Sequence, residues 1–200
     1  MVTIKAIREQ WDKIELYIIS LWLLFLLIVI ITIDIPINFN EDWYFIGLKK
    51  LLINNVIPVI AILFLVAGLI CMSRFKYKLE GSMRTPFKIT KIENANYEHL
   101  TFLSTYIIPL IAFDLEQFKY ALVLLILLIA IGAIYVKTDM FHANPSLALL
   151  GYHIYKVDGE FRTGFREDIT IISRQKLSIS EKVSYKQLGE KIYYVRVQNG

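Results

Sequence analysis

The chain has 200 residues, 56% of them apolar and 20% charged, with a formal net charge of +4 and a single cysteine. The apolar share and a mean hydropathy of +0.52 exceed what a soluble chain of this length carries, so the composition points to the lipid bilayer. One cysteine, Cys71, excludes an intramolecular disulfide and a thiolate metal cluster.

At the N-terminus, Ile4, Ile7, Trp11 and Ile14 recur at three- and four-residue intervals, while Lys5, Glu9 and Lys13 form an i, i+4 ladder on another face. This predicts an amphipathic helix, either lying in the inner headgroup layer or extending the first span into the cytoplasm. Residues 16–33 carry no charge and predict a first span at about 16–34. The run is longer than a signal-peptide core and no small-residue cleavage site precedes Asp34, so the span is expected to remain as an anchor.

Asp34 and Pro36 stop this span, and Asn40 can cap a short helix from Glu41 whose Trp43, Tyr44 and Phe45 suit the outer interface. A second uncharged run predicts a span at 51–73, with Asn54 and Asn55 near its outer end as packing residues and Pro58 as a kink. The cytoplasmic loop 74–96 follows. Within it, Pro86 can start a strand, and residues 87–92 alternate well enough for an edge strand.

Residues 93–100 crowd polar and aromatic groups at a membrane boundary, with Asn94, Asn96, Tyr97, Glu98 and His99 prominent. They lead into an uncharged run at 100–113, which the preceding residues lengthen to a third span at 97–113 with Pro109 inside it. A re-entrant segment is the alternative. Six residues later a fourth span is predicted at 119–137, so the last two spans form a hairpin.

A second cluster at 144–157, containing Asn144, Pro145, Gly151 and Tyr152, leaves the fourth span. Both clusters read as capping and interfacial anchoring. Beyond Lys137 the apolar pattern alternates, predicting a β-rich domain at 138–200. Its strands are expected at 149–157 and 160–165 around an Asp158-Gly159 hairpin turn, then at 168–174 and 191–197. The fold class is thus membrane α-helical: residues 1–137 form four transmembrane helices, and a small cytoplasmic β-rich domain follows.

Of the 22 basic residues, 19 fall in 1–15, 74–99 and 137–200, and only three in 34–50 and 114–119. Basic residues stay on the cytoplasmic side, so the expectation is a multi-pass protein of the bacterial inner membrane with both termini in the cytoplasm. This partition explains the pI of about 9.0 without any nucleic-acid partner, and no direct nucleic-acid binding is expected. The basic cytoplasmic face suits anionic lipids or an acidic protein surface. Arg162, Arg166, Arg174, Lys176 and Lys182 are the candidate partner-binding residues.

Chemistry is sparse. His99, His142 and His153 lack ligand spacing, and no HExxH, paired cysteines or Gly-rich phosphate loop occurs. His142 with Asp139 reads as an interfacial pair. The spans carry no charge at mid-depth, which disfavours an ion or proton transporter. No enzyme activity, metal or cofactor is expected.

The two boundary clusters, the order of four spans and the later run Ile171-Ile172-Ser173-Arg174 together resemble the membrane subunit of the Kiwa anti-phage defence system. The resemblance covers most of the chain and is weakest over 178–200. It implies a homo-oligomeric inner-membrane sensor, for instance a tetramer, working with a cytosolic DNA-binding partner to restrain phage replication and transcription. The competing classes are a small oligomeric pore-forming effector and a general membrane scaffold. An adjacent gene for a soluble DNA-binding protein favours the sensor, and one for a nucleotide-signal synthase favours the pore.

Overall fold

A computed structural model describes residues 2–34, 47–81, 83–115, 117–138, 143–189 and 191–198, with side chains of the first helix described from residue 10. The outer-interface helix expected from Glu41, with its Asn40 cap, and the Asp139 and His142 pair lie outside these residues, as do the side chains of Ile4, Lys5, Ile7 and Glu9.

The N-terminal helix α1 (Val2–Ser20) runs without interruption into the region expected to span, and α2 (Trp22–Thr32) continues beyond Leu21. The two axes meet at 41°, so the predicted first span is bent within its length. The cause is local. The Ser20 hydroxyl donates to the Tyr17 carbonyl at 2.6 Å and competes with the Leu21 amide, which reaches the same oxygen at 3.2 Å.

The second predicted span is likewise divided, into α3 (Leu48–Asn54) and α4 (Val56–Glu80). Pro58 cannot donate to the carbonyl four residues earlier, and the helix breaks at Asn55. Asn55 is then free to bind elsewhere: its Oδ1 accepts the Asp34 amide and its Nδ2 donates to the Asp34 carbonyl, both at 2.8 Å. This pair of hydrogen bonds ties the end of α2 to the start of α4, the packing role expected for an asparagine among apolar helices. Helix α4 also runs seven residues past the predicted end at 73.

Helix α5 (Tyr97–Ala112) has 16 residues, about 24 Å of rise, and α6 (Phe118–Lys137) has 20. By length and apolarity, α4 and α6 can each cross a membrane, and the bent pair of α1 and α2 makes a third span if counted as one. An apolar cleft of about 410 Å³, lined by Phe25, Phe64, Leu125 and others, opens between α2, α4 and α6.

A short helix α7 (Pro145–Leu149) precedes the strands β2 (His153–Phe161), β3 (Gly164–Ser173), β4 (Lys182–Gln187) and β5 (Ile192–Val197). With β1 (Arg84–Asn94), from the loop between α4 and α5, they close a barrel in the order β1-β2-β3-β5-β4. Three expectations are corrected here. The loop strand is no edge: β1 pairs antiparallel with both β2 and β4 and closes the barrel. Residues 149–157 do not form one strand, because Leu149 ends α7 and β2 begins only at His153.

The hairpin turn, finally, is not Asp158-Gly159 but the segment between Phe161 and Gly164, and a strand not expected, β4, precedes β5. Asp158 instead sits at a register shift within β2, where its Oδ1 accepts the Asp168 amide at 3.0 Å. Gly159 lies under the Phe87 ring, and a Cβ there would come within 2.7 Å of it. The two residues serve a bulge and a close approach.

The barrel interior is filled by Phe87, Ile89, Val157, Phe161, Ile171, Val183, Tyr185, Tyr193 and Val195. The Phe87 and Phe161 rings stack at 4.1 Å. A second core joins the helices to the barrel exterior, running from Leu24 and Tyr106 through Phe75, Leu79 and Leu147 to Tyr152, Ile172 and Tyr194.

Candidate functional site: the junction between helices and barrel

The two boundary clusters, some fifty positions apart in sequence, meet at one joint. Asn96 Oδ1 accepts the Ile154 amide at 2.8 Å, and the Ala95 amide donates to the Ile154 carbonyl at 3.0 Å. The Asn94 side chain accepts the Asn96 amide, turning the chain from β1 into α5. Glu98, in the first turn of α5, pairs with Lys156 of β2 at 2.9 Å. That carboxylate holds the Lys156 ammonium above its ordinary pKa. Tyr97 beside it is exposed.

Asn144 is the centre of this joint. Its Oδ1 caps α7 by accepting the amides of Ser146 and Leu147, and Pro145 occupies the first helical turn. Its Nδ2 donates to the Leu16 carbonyl at 3.0 Å, and its amide donates to Nδ1 of the buried His99 at 3.1 Å. One fully buried residue thus links α1, α5 and α7, and His99 Nδ1 carries no proton in this arrangement. At the other end of α7, Gly151 takes a positive φ of 78° and lets Tyr152 fold back, its amide donating to the Leu147 carbonyl. Burial pushes the Tyr152 hydroxyl pKa up, and its ring lies against Phe75 and Tyr194.

Two further contacts join the barrel to α4, and nothing in the sequence pattern flags them. Lys186 of β4 donates through Nζ to the Lys78 carbonyl, and Arg196 of β5 donates through Nη2 to the Leu79 carbonyl at 3.4 Å. Cations at the last carbonyls of a helix meet both its unpaired acceptors and its negative dipole end. The same end of α4 is clamped to α1: Lys78 pairs with Asp12 at 2.6 Å and Glu15 at 3.0 Å, and Arg74 pairs with Glu15 at 3.0 Å.

The five candidate partner-binding residues are not brought together. Arg162 is exposed in the β2–β3 turn, and Lys182 is exposed at the start of β4. Arg166 covers one end of the barrel, its guanidinium 4.6 Å from the Phe161 ring and its Nη1 donating to the Tyr193 hydroxyl at 2.6 Å. Arg174 lies over Tyr152 at 4.8 Å, and Lys176 follows it on the surface, both at the end of β3 paired with His153 near the helices. Among the described residues no three His, Cys, Asp or Glu side chains gather as metal ligands. What the joint offers is mechanical: buried, hydrogen-bonded connections between helix ends and barrel.

Residues 12–194 match the family described as the anti-phage protein KwaA. The Kiwa protein KwaA of Escherichia coli O55:H7 (strain RM12579 / EPEC) is 36% identical over 190 residues, covering 94% of this chain and 97% of that protein. No solved structure matches.

Proposed function

Because the chain belongs to the KwaA family of anti-phage proteins, we propose that it is a non-catalytic sensor and anchor of the bacterial inner membrane. In this reading α5 adds a fourth crossing to the three from the bent pair, α4 and α6, both termini are cytoplasmic, and several copies assemble. The barrel is the output platform, which recruits or restrains a cytosolic DNA-binding partner. The observation that carries the reading is the construction of that barrel. One strand comes from the loop between α4 and α5, four come from the tail, and the whole is bonded to the ends of α4 and α5 and follows α7, whose cap Asn144 is tied to α1. A tilt or shift of α4 or α5 then bears directly on the platform.

The test separates transmission from assembly. Lys186→Gln with Arg196→Gln removes the contacts to α4 while leaving the barrel core intact. Plaque counts should rise toward those of cells lacking the protein, while abundance, membrane insertion and oligomeric state stay unchanged. Full protection by this variant would refute the reading. Membrane depolarisation by the protein alone would favour the pore-forming alternative.

A further inference from the structure

Helix α6 is held to the rest of the bundle toward one end. There Gly132 receives the Tyr17 ring, and the Leu128 carbonyl accepts the Tyr17 hydroxyl. Toward Phe118 the helix stands off from α2 and α4, and the apolar cleft of about 410 Å³ lies in the gap. The opposite wall is one unit, because the Phe25 and Phe64 rings stack at 4.7 Å between α2 and α4 and Asn55 bonds to Asp34 at the far end. Ile60 of α4 and Leu125 of α6 both line the cleft and are about half exposed, so it opens to the side of the bundle.

Among the described lining residues Tyr17 alone carries a polar side-chain group, and its hydroxyl is engaged by the Leu128 carbonyl. A ligand here meets no hydrogen-bonding partner. Desolvation therefore excludes nucleotides, sugars and ions, while hydrocarbon enters without that cost. The volume lies within the usual range of small-ligand pockets, roughly 300–1,000 Å³. An empty cleft would forfeit dispersion contacts along its walls, and water does not fill an apolar space.

Length and position select the occupant. Along α6 the lining runs from Phe118 to Ile129, about 16 Å of helical rise. That is close to half of a hydrocarbon core roughly 30 Å thick, the depth of one leaflet. The cleft lies in the half of the bundle remote from the barrel, which is seated on Lys78 and Leu79 at the other end of α4. A helix of a second copy, about 10 Å across, would need roughly 1,200 Å³ over the same length, well beyond the space present. We propose that the cleft binds an acyl chain of a membrane phospholipid from the leaflet remote from the barrel. The assignment rests on the reading of these helices as membrane spans and gives the bilayer a defined point of contact with the platform. Helix α4 lines the lipid site near its start and meets Lys186 and Arg196 of the barrel at its end.

The full-length protein is extracted from membranes in mild detergent, and native mass spectrometry counts the phospholipid retained on each chain. Wild type should keep it. Ala121 lines the cleft, and Ala121→Trp should lower the occupancy about tenfold by filling the space, with Ala121→Leu in between. Ala130, exposed on the opposite face of α6, is the control: Ala130→Trp should retain lipid as wild type does. In nanodiscs, a phosphatidylethanolamine with a diazirine in its acyl chain should crosslink to Ile60 or Leu125. Melting curves matching wild type establish that each variant is folded. Unchanged retention by Ala121→Trp, with crosslinks confined to other faces, overturns the site. A change in the number of copies per particle at unchanged lipid retention overturns it in favour of a second chain. A wild-type protein that stays in the membrane fraction yet neither retains nor crosslinks lipid removes the site alone. Recovery of the chain from the soluble fraction removes both the site and the membrane reading.

Discussion

Asn144 and Leu16 are joined by a 3.0 Å hydrogen bond that crosses 128 positions of sequence. The bond occupies a carbonyl of α1 with the side chain that caps α7, so the first helix and the entry to the barrel are positioned by one carboxamide. Removing it leaves buried polar groups on α1 and α7 without their partner, while the backbone amide of residue 144 keeps its bond to His99 of α5.

Asn144→Ala should therefore destabilise the protein by about 1–3 kcal/mol, the usual cost of leaving buried hydrogen-bonding groups unpaired. Asn144→Ser should recover part of that loss by restoring the cap of α7 alone. Thermal unfolding in detergent, followed by tyrosine fluorescence, distinguishes the two. Equal melting temperatures for wild type and Asn144→Ala would disprove the linkage.

Gly132 receives the Tyr17 ring on the face of α6: a Cβ at this position would stand 2.6 Å from Cε1. The Tyr17 hydroxyl donates to the Leu128 carbonyl one turn away, at 2.6 Å. Gly132→Ala should cost about 1–3 kcal/mol through overpacking. The double variant with Tyr17→Leu should show that the two losses are not additive. Additive losses would mean that the ring and the glycine are independent.

The tail should not fold by itself. Residues 143–200 lack β1, the strand that pairs β2 to β4, so the barrel opens and exposes Tyr155, Val157 and Val183. That fragment should show no cooperative thermal transition by circular dichroism, and linking residues 83–95 to it should restore one. A cooperative transition in the bare fragment would contradict the barrel as described.

Glu98 and Lys156 give a pH signature. The folded pKa of Lys156 is raised by its partner, so the pair's contribution is fully present below the ordinary lysine pKa and is lost as pH rises through the folded value. The stability gap between wild type and Glu98→Gln should be constant from neutral to mildly alkaline pH and shrink above it. Partial exposure of Lys156 keeps the gap small. A gap that grows with pH would exclude this pairing.

Reporter fusions test the orientation. Placed after Lys50, Arg84 and Gly200, they should report outside, inside and inside. An external C-terminus would place the barrel beyond the reach of any cytosolic partner.

The apolar runs at 51–73 and 119–137 were legible from residue type alone and correspond to α3 with α4 and to α6, because transfer into hydrocarbon is a property of a contiguous segment and needs no partner. Strands at 168–174 and 191–197 were legible for a related reason, alternation along one segment, and lie close to β3 and β5. Pairing is different in kind. That β1 closes a barrel instead of lining its edge is decided by partners at Glu160 and Lys182, more than seventy residues away. The Asp158-Gly159 pair has turn chemistry, but Phe87 packing over Gly159 and the Asp168 amide bound to Asp158 make it a bulge. The clusters around Asn96 and Asn144 announced polar boundary residues, yet only the folded chain sets Ile154, His99 and Leu16 against them. Lys186 and Arg196 are ordinary surface cations in the sequence and become helix caps once the barrel seats on α4, since a carbonyl at a helix end takes its side-chain donor by proximity in space.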